Sequence, residues 1–297
     1  MKILSKKILC DSGGTKVVEM WAAAPEIALK ARAGQFIVLM VNEKGERIPL
    51  TIVDKDTPRG AIKLILQEAG LTTKLLGKLD AGDSLYALVG PLGHATEIKN
   101  YGKVILVGGG VGIAEIYPVA KALKEAGNHI TTILGARIKD LLILENELKA
   151  VSDEFHITTD DGSYGKRGFV TDVLKELISG DRVQGSGYRV QGSGYRLIYA
   201  VGPIPMMRSV AAATKDSKIK TVVSLNALMV DATGMCGSCR VTVGGVVKFS
   251  CVDGPEFDAN LIDWDELIKR NRIYESKEKH ICKLTYYNLR GCQNGNL

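Results

Sequence analysis

The sequence lacks the long apolar runs that a membrane protein needs. No stretch of its 297 residues reaches the roughly 18 consecutive apolar residues of a membrane span. Residues 1–7 also lack the apolar core and the small-residue cleavage site of a secretory signal peptide. We therefore expect a cytoplasmic protein with no membrane partner.

Aromatic residues and clustered charge are also scarce. Aromatic side chains make up only 6% of the chain, whereas glycine occurs 33 times, a balance that favours cofactor sites lined by backbone. Lysine and arginine number 39 against 33 acidic residues, a net charge of +6, and no long basic run is present. Because nucleic-acid binding needs a clustered basic patch, we expect no nucleic-acid partner. The 45% of hydrophobic residues is enough to bury a core.

The order of predicted elements divides the chain into three parts. Residues 1–98 contain short strands separated by Gly, Asp and Pro, which predicts a small antiparallel β-barrel. Residues 99–225 alternate apolar strands with helices, which predicts a Rossmann-like α/β domain with a parallel sheet. Residues 226–297 hold most cysteines, a predicted hairpin turned at Gly244-Gly245 and a polar tail. The predicted fold class is therefore β plus α/β with a small C-terminal unit.

A tandem repeat interrupts the second part. The heptapeptide of residues 182–188, RVQGSGY, is followed at once by an identical copy at residues 189–195. Its glycines and serines cannot build a core, so the repeat predicts a lengthened surface loop. A functional flap is the alternative.

The strongest chemical signal is the cysteine pattern. Three of the six cysteines, Cys236, Cys239 and Cys251, lie in a short stretch, which in a cytosolic chain points to metal rather than to disulfides. Together with Asp231 they keep the C-x4-C-x2-C…C register of plant-type [2Fe–2S] clusters, with aspartate in the first position. A zinc site and a buried structural cysteine cluster are the alternatives.

Asp231 occupies the register position of a ligand, so we predict a cluster held by Asp231, Cys236, Cys239 and Cys251. A carboxylate is a harder donor than a thiolate, so we expect it to favour ferric iron and to make the potential sensitive to pH. Alternatively, Asp231 is a turn residue that caps its own backbone. In that case Cys282 or Cys292 supplies the fourth ligand.

A glycine-rich run predicts a nucleotide site. Residues 108–114, GGGVGIA, follow a predicted strand and open a predicted helix, where glycines let a phosphate approach the backbone. Ile113 stands where G-x-G-x-x-G has its last glycine, so a plain tight turn is the alternative. Asp160, in the loop after a later strand, and the segment 202–207, GPIPMM, are expected at the same edge of the sheet. Arg137 leaves the choice between NAD and NADP open.

Two barrel segments are candidates for a flavin site. The segment 47–51, RIPLT, presents backbone N–H groups and a hydroxyl suited to a flavin ring. The segment 70–73, GLTT, places small residues and hydroxyls at a predicted helix start, which suits a pyrophosphate. Taken alone, each is also compatible with an ordinary strand or turn.

Together these segments resemble the ferredoxin–NADP reductase superfamily. The cysteine unit narrows the likeness to the electron-transfer subunits of dihydroorotate dehydrogenase. Over residues 230–240 and 250–259 the chain resembles still more the small (alpha) subunits of NADH-dependent ferredoxin:NADP oxidoreductases, also described as sulfide dehydrogenase subunits. The dihydroorotate dehydrogenase subunits have four cysteine ligands, whereas this chain has aspartate first. Arg47 stands one place earlier than the arginine of the usual R-P-x-S segment.

The resemblance implies FAD in the barrel, NAD(H) in the α/β domain and a [2Fe–2S] cluster in the C-terminal unit. It also implies the residues of each site. Pro49, Leu50 and Thr51 correspond to the flavin edge, and Gly70, Thr72 and Thr73 to the FAD phosphates. The nicotinamide-nucleotide side corresponds to Gly109, Gly110, Gly112, Gly202, Pro203 and Met206, to which the strand-end argument adds Asp160.

The implied function is that of an electron-transfer flavoprotein subunit. Its implied partner is a larger glutamate-synthase-like flavoprotein with [4Fe–4S] clusters, through which ferredoxin is reached. In the family this amounts to flavin-based electron bifurcation coupling NADH and ferredoxin to NADP. Hydride transfer requires no side-chain acid or base, so no catalytic residue is predicted. The alternatives are a dihydroorotate dehydrogenase subunit and an iron–sulfur redox sensor.

Overall fold

The computed structural model describes residues 1–179, 193–278 and 280–281. Most of the duplicated segment 182–195 lies outside these residues, as do Cys282 and Cys292. Over the described ranges, no helix combines the length and the apolar character needed to cross a membrane.

The first part of the chain forms two antiparallel sheets around one core. Its elements are β1 (Ile3–Ser12), β2 (Thr15–Ala23), α1 (Pro25–Lys30), β3 (Phe36–Met40), β4 (Ile48–Thr51), β5 (Asp54–Asp56), β6 (Ala61–Gln67), α2 (Leu71–Leu76) and β7 (Ala87–Leu92). The sheets have the orders β1–β2–β6–β5 and β4–β3–β7. Apolar side chains of both sheets, such as Leu39 and Leu64, fill the shared core, because alternate residues of a strand point to the same face.

The second part is a parallel sheet covered on both faces, as predicted. Its elements are β8 (Lys103–Gly109), α3 (Gly112–Glu125), β9 (His129–Ala136), a 3₁₀ turn (Lys139–Leu141), α4 (Glu145–Val151), β10 (Glu154–Thr159), β11 (Lys166–Arg167), α5 (Val170–Ile178), β12 (Tyr195–Val201), α6 (Ile204–Thr214) and β13 (Lys220–Ser224). Val104 and Leu106 face α3 and α4, whereas Ile105 and Val107 face α5 and α6. Strands buried on both faces read as continuous apolar runs.

The third part is built onto the edge of that sheet. Its elements are β14 (Arg240–Val243), β15 (Val246–Phe249), α7 (Ser250–Asp253), β16 (Glu256–Asp258) and α8 (Trp264–Asn271). The hairpin turns at Gly244 and Gly245, both with positive φ, as a tight hairpin turn requires. Strand β16 pairs antiparallel with β13 and completes the sheet order β11–β10–β9–β8–β12–β13–β16. The cysteine unit is thereby hydrogen-bonded to the α/β sheet.

Candidate cofactor sites

A cavity of about 660 Å³ opens where β8, β9, β10 and β12 end. Ligands of open α/β sheets bind outside these carboxyl ends. The lining includes five residues of the predicted nucleotide site: Gly109, Gly110, Asp160, Pro203 and Met206. The structure therefore brings together segments that lie far apart in the sequence.

The other two predicted glycines, Gly112 and Gly202, lie behind the cavity wall. A Cβ atom on Gly112 would stand 2.5 Å from the carbonyl oxygen of Val201, and one on Gly202 would stand 2.6 Å from the methyl carbon of Met206. Gly110 has a φ of +56°, a conformation that glycine adopts without strain. These glycines let α3 approach β12 closely and keep backbone at the cavity wall.

Residues that sequence reasoning did not identify also line the nucleotide cavity. Thr15, Val17 and Gln67 come from the barrel, so the cavity lies between the barrel and the α/β sheet. Phe169, at the start of α5, lines it with a side chain that is 62% exposed. An exposed aromatic ring in such a place can stack on a base. In the sequence, the signal that could have indicated Phe169 is its position directly after Gly168.

Arg137 has a structural partner across the same cavity. Its guanidinium donates a hydrogen bond to the Thr15 hydroxyl oxygen at 2.7 Å. This bond ties the end of β9 to the β1–β2 turn of the barrel. The side chain is thus held at the junction of the two units, where it also lines the nucleotide cavity.

The two predicted flavin segments lie side by side in the barrel. Gly70, Thr72 and Thr73 line a cavity of about 180 Å³ together with Ile48, which directly precedes Pro49. The Thr72 hydroxyl donates to a Glu46 carboxylate oxygen at 2.7 Å. The Thr73 hydroxyl oxygen accepts the Gly70 N–H at 3.0 Å. Both hydroxyls therefore already have protein partners.

The remaining flavin-segment residues lie in β4. Pro49, Leu50 and Thr51 make up most of β4 and are half-buried. Burial raises the pKa of Glu115, in the first turn of α3, to about 7, and the neighbouring Thr51 side chain opposes this shift. The end of the flavin-edge segment therefore lies near the helix that follows the glycine-rich run.

The cysteine loop brings two thiols into contact. The sulfurs of Cys239 and Cys251 lie 3.2 Å apart, and both residues are buried. Burial, assisted by the neighbouring Cys239 thiol, raises the pKa of Cys251 to about 12. Such a pair stays protonated unless a metal ion compensates the thiolate charge. The donor chemistry therefore fits a metal-bound form.

The other two predicted ligands are less buried. Cys236 is exposed, and the Ser238 N–H points to its sulfur at 3.5 Å. The Asp231 carboxylate accepts the Thr233 N–H at 2.9 Å. This N–H lowers the pKa of Asp231, and contacts with Cys236 add to the effect. The carboxylate therefore caps a turn and also lies beside a cysteine.

The loop itself is compatible with wrapping a cluster. Gly234 and Gly237 have φ values of +82° and +68°, and the Arg270 guanidinium holds the Gly237 and Ser238 carbonyls at 3.1 and 3.2 Å. Among the described residues, no three His, Cys, Asp or Glu side chains converge on one metal position. The set of four ligands therefore stays a prediction.

Comparison with known proteins identifies the chain. Residues 106–212 match the oxidoreductase NAD-binding domain, and residues 226–263 match the iron–sulfur cluster binding domain of dihydroorotate dehydrogenase B. A dihydroorotate dehydrogenase B (NAD(+)) electron transfer subunit homolog of Thermotoga maritima is 48% identical over 263 residues, 89% of either chain. The corresponding electron transfer subunit of Geobacillus thermodenitrificans is 31% identical over 87% of this chain and 96% of its own. The chain belongs to this family.

A solved structure supports this membership in the electron transfer subunit family. A chain from the NADH-dependent reduced ferredoxin–NADP oxidoreductase, solved in a study of flavin-based electron bifurcation, is 45% identical to it. The TM-score is 0.86, over 96% of this chain and 97% of that one. The predicted resemblance and fold class are confirmed. This electron transfer subunit is an oxidoreductase that uses FAD, an iron–sulfur cluster and NAD(H).

Proposed function

We propose that the chain is the NADH-oxidising subunit of a complex with a larger flavoprotein that carries [4Fe–4S] clusters. Electrons would pass from NADH to FAD, then to a [2Fe–2S] cluster and on to the partner. The complex would couple NADH and ferredoxin to NADP by electron bifurcation. The observation that carries this proposal is the 45% identity, over almost the whole chain, to the NADH-dependent ferredoxin–NADP oxidoreductase chain.

The bound flavin would supply the exchange between a hydride and single electrons. The chain itself would hold the nucleotide against the flavin. The nucleotide cavity has barrel residues on one wall, such as Thr15 and Gln67, and the glycine-rich run on the other. A nucleotide bound there would lie between the two units.

The cysteine unit is fixed relative to both other units. The Leu225 N–H donates to the Pro255 carbonyl at 2.9 Å, and the His94 N–H donates to the Gly254 carbonyl at 2.7 Å. The second bond connects the barrel's last strand to the segment that follows Cys251. Backbone bonds of this kind hold the predicted cluster at a constant distance from the predicted flavin segment, as electron transfer requires.

The cysteine unit also exposes apolar side chains that suit a protein partner. Met235 is 87% exposed, next to Cys236. Further exposed apolar side chains of the unit are Val230, Val246, Val247, Val252 and Leu261. Exposed apolar groups that gather on one unit are typical of interaction sites. The exposure of Met235 next to Cys236 supports a partner that receives electrons from the cluster.

Anoxic purification from the native source tests the proposal. We expect the chain to co-purify with a larger flavoprotein, and the complex to contain FAD and iron. NADH should reduce NADP⁺ only when reduced ferredoxin is also supplied. A chain that purifies alone and without flavin would contradict the proposal.

A second candidate function is electron transfer to a dihydroorotate dehydrogenase, because relatives at 48% and 31% identity carry that description. Dihydroorotate-dependent reduction of NAD⁺ by the purified complex would favour it. The cluster ligands provide a further distinction. The Asp231→Ala variant should show a changed EPR spectrum, and an unchanged one would remove Asp231 from the ligand set.

A further inference from the structure

Arg270 is a basic side chain in the last turn of α8 that contacts the cysteine loop, residues 231–239. Its Nη2 atom donates to the Gly237 carbonyl oxygen at 3.1 Å and to the Ser238 carbonyl oxygen at 3.2 Å. Its Nε atom is buried and has no hydrogen-bond partner among the described residues. The two hydrogen bonds of Nη2 tie the guanidinium to the stretch between Cys236 and Cys239.

The end of α8 is itself fixed beside this loop. The side-chain oxygen of Asn271 accepts the Leu228 N–H at 3.1 Å, and its side-chain nitrogen donates to the Asn226 carbonyl oxygen at 2.9 Å. These bonds attach the helix end to the segment that leads into the cysteine loop. The position of Arg270 is therefore fixed relative to the loop.

The two carbonyls that Arg270 holds determine where N–H groups of the loop point. In a planar trans peptide unit, the carbonyl and the N–H point in opposite directions. The Gly237 carbonyl shares its peptide unit with the Ser238 N–H, which points to the Cys236 sulfur at 3.5 Å. The Ser238 carbonyl shares its unit with the Cys239 N–H. Arg270 therefore orients two peptide units so that their N–H groups face away from it, one of them towards a predicted ligand.

We propose that Arg270 is a positioning residue that raises the reduction potential of an iron–sulfur cluster held by this loop. This inference rests on the proposed function and deepens it. Hydrogen bonds to the sulfurs and the local charge set the potential of such clusters. Reduction adds one negative charge, which an N–H directed at a cysteine sulfur stabilises, as does the guanidinium charge behind the peptide. A higher potential favours electron transfer from the flavin into the cluster.

A redox titration of the full chain loaded with FAD and cluster, followed by EPR, tests the inference. Arg270→Gln removes the charge and the hold on the two carbonyls. The equilibrium constant for cluster reduction should fall by about tenfold, a shift of about 59 mV for one electron. Arg270→Lys keeps the charge on a flexible stem that does not fix the carbonyls. Its potential should lie between those of Arg270→Gln and the wild type.

The matched control is Arg272→Gln, at the exposed C-cap of the same helix. It removes an equal charge from an exposed position, so the equilibrium constant for reduction should stay within about twofold of wild type. Hyperfine spectroscopy after exchange into D₂O gives a second readout. The coupling of the exchangeable deuteron nearest to the cluster should weaken in Arg270→Gln and stay unchanged in Arg272→Gln.

A cluster-loaded Arg270→Gln chain with the wild-type potential would overturn the inference. If Arg270→Gln does not assemble a cluster, an Arg270→Lys chain with wild-type potential and deuteron coupling would overturn it. Loss of the cluster from both variants would also overturn it, because the arginine would then act only in assembling the loop. A wild-type chain that binds FAD but shows no [2Fe–2S] EPR signal on reduction would instead overturn the proposed function.

Discussion

Replacing Gly112 by alanine should separate α3 from the sheet. The added Cβ would stand 2.5 Å from the Val201 carbonyl oxygen, 2.7 Å from its carbonyl carbon and 2.8 Å from Gly202 Cα. Ordinary contacts begin near 3.4 Å, so the helix must move by about 0.9 Å. All three atoms belong to backbone, which cannot rotate away as a side chain can. Overpacking of this kind costs about 1–3 kcal/mol.

The expected loss corresponds to a fall in Tm of roughly 2–12 °C, at about 2–4 °C for each kcal/mol in a domain of this size. NADH affinity should fall as well, because the helix N-terminus moves with the helix. Thermal unfolding of the holoprotein and an NADH titration measure the two effects. Glu125→Ala, at an exposed position in the last turn of the same helix, is the control, and we expect a stability change within about 0.5 kcal/mol. A Gly112→Ala chain with wild-type Tm and NADH affinity would refute the packing argument.

Three further predictions concern the cluster, the partner and pH. Cys239→Ser should abolish the cluster's visible absorption and EPR signal, whereas Cys10→Ser, in the barrel strand β1, should keep both. Met235→Glu should weaken co-purification with the partner but leave NADH-driven ferricyanide reduction intact. The control Leu29→Glu, on the exposed face of α1, should leave both unchanged. Because burial raises the pKa of Glu115 from 4.5 to about 7, the folded state loses stability as the pH rises between these values. Glu115→Gln should therefore be more stable than wild type above pH 7, by up to about 3 kcal/mol in urea unfolding; equal stability would contradict the burial of this charge.

Local patterns predicted the regular elements well. The alternation of strands and helices after residue 99 predicted the parallel sheet. Strand ends depend on pairing partners that are remote in the sequence, which local periodicity does not report.

The features that the sequence did not predict depend on contacts between segments that are far apart along the chain. The three residues of β16 have no alternation to detect, and they form a strand because β13 offers an unpaired edge. The helix Pro25–Lys30 is too short for a helical period to stand out. The proximity of Thr51 to Glu115 likewise brings together two segments that are far apart in the sequence. By contrast, the spacing of Cys236, Cys239 and Cys251 is local, so the sequence alone indicated the cluster unit.

The central claim is that this chain takes electrons from NADH and passes them through flavin to an iron–sulfur cluster. An anoxic NADH titration of the FAD- and cluster-loaded chain, followed by visible absorption and EPR, tests it most directly. We expect NADH to bleach the flavin absorption, after which the EPR signal of a reduced [2Fe–2S] cluster appears. A flavin that stays oxidised, or a bleached flavin with no cluster signal, would contradict it.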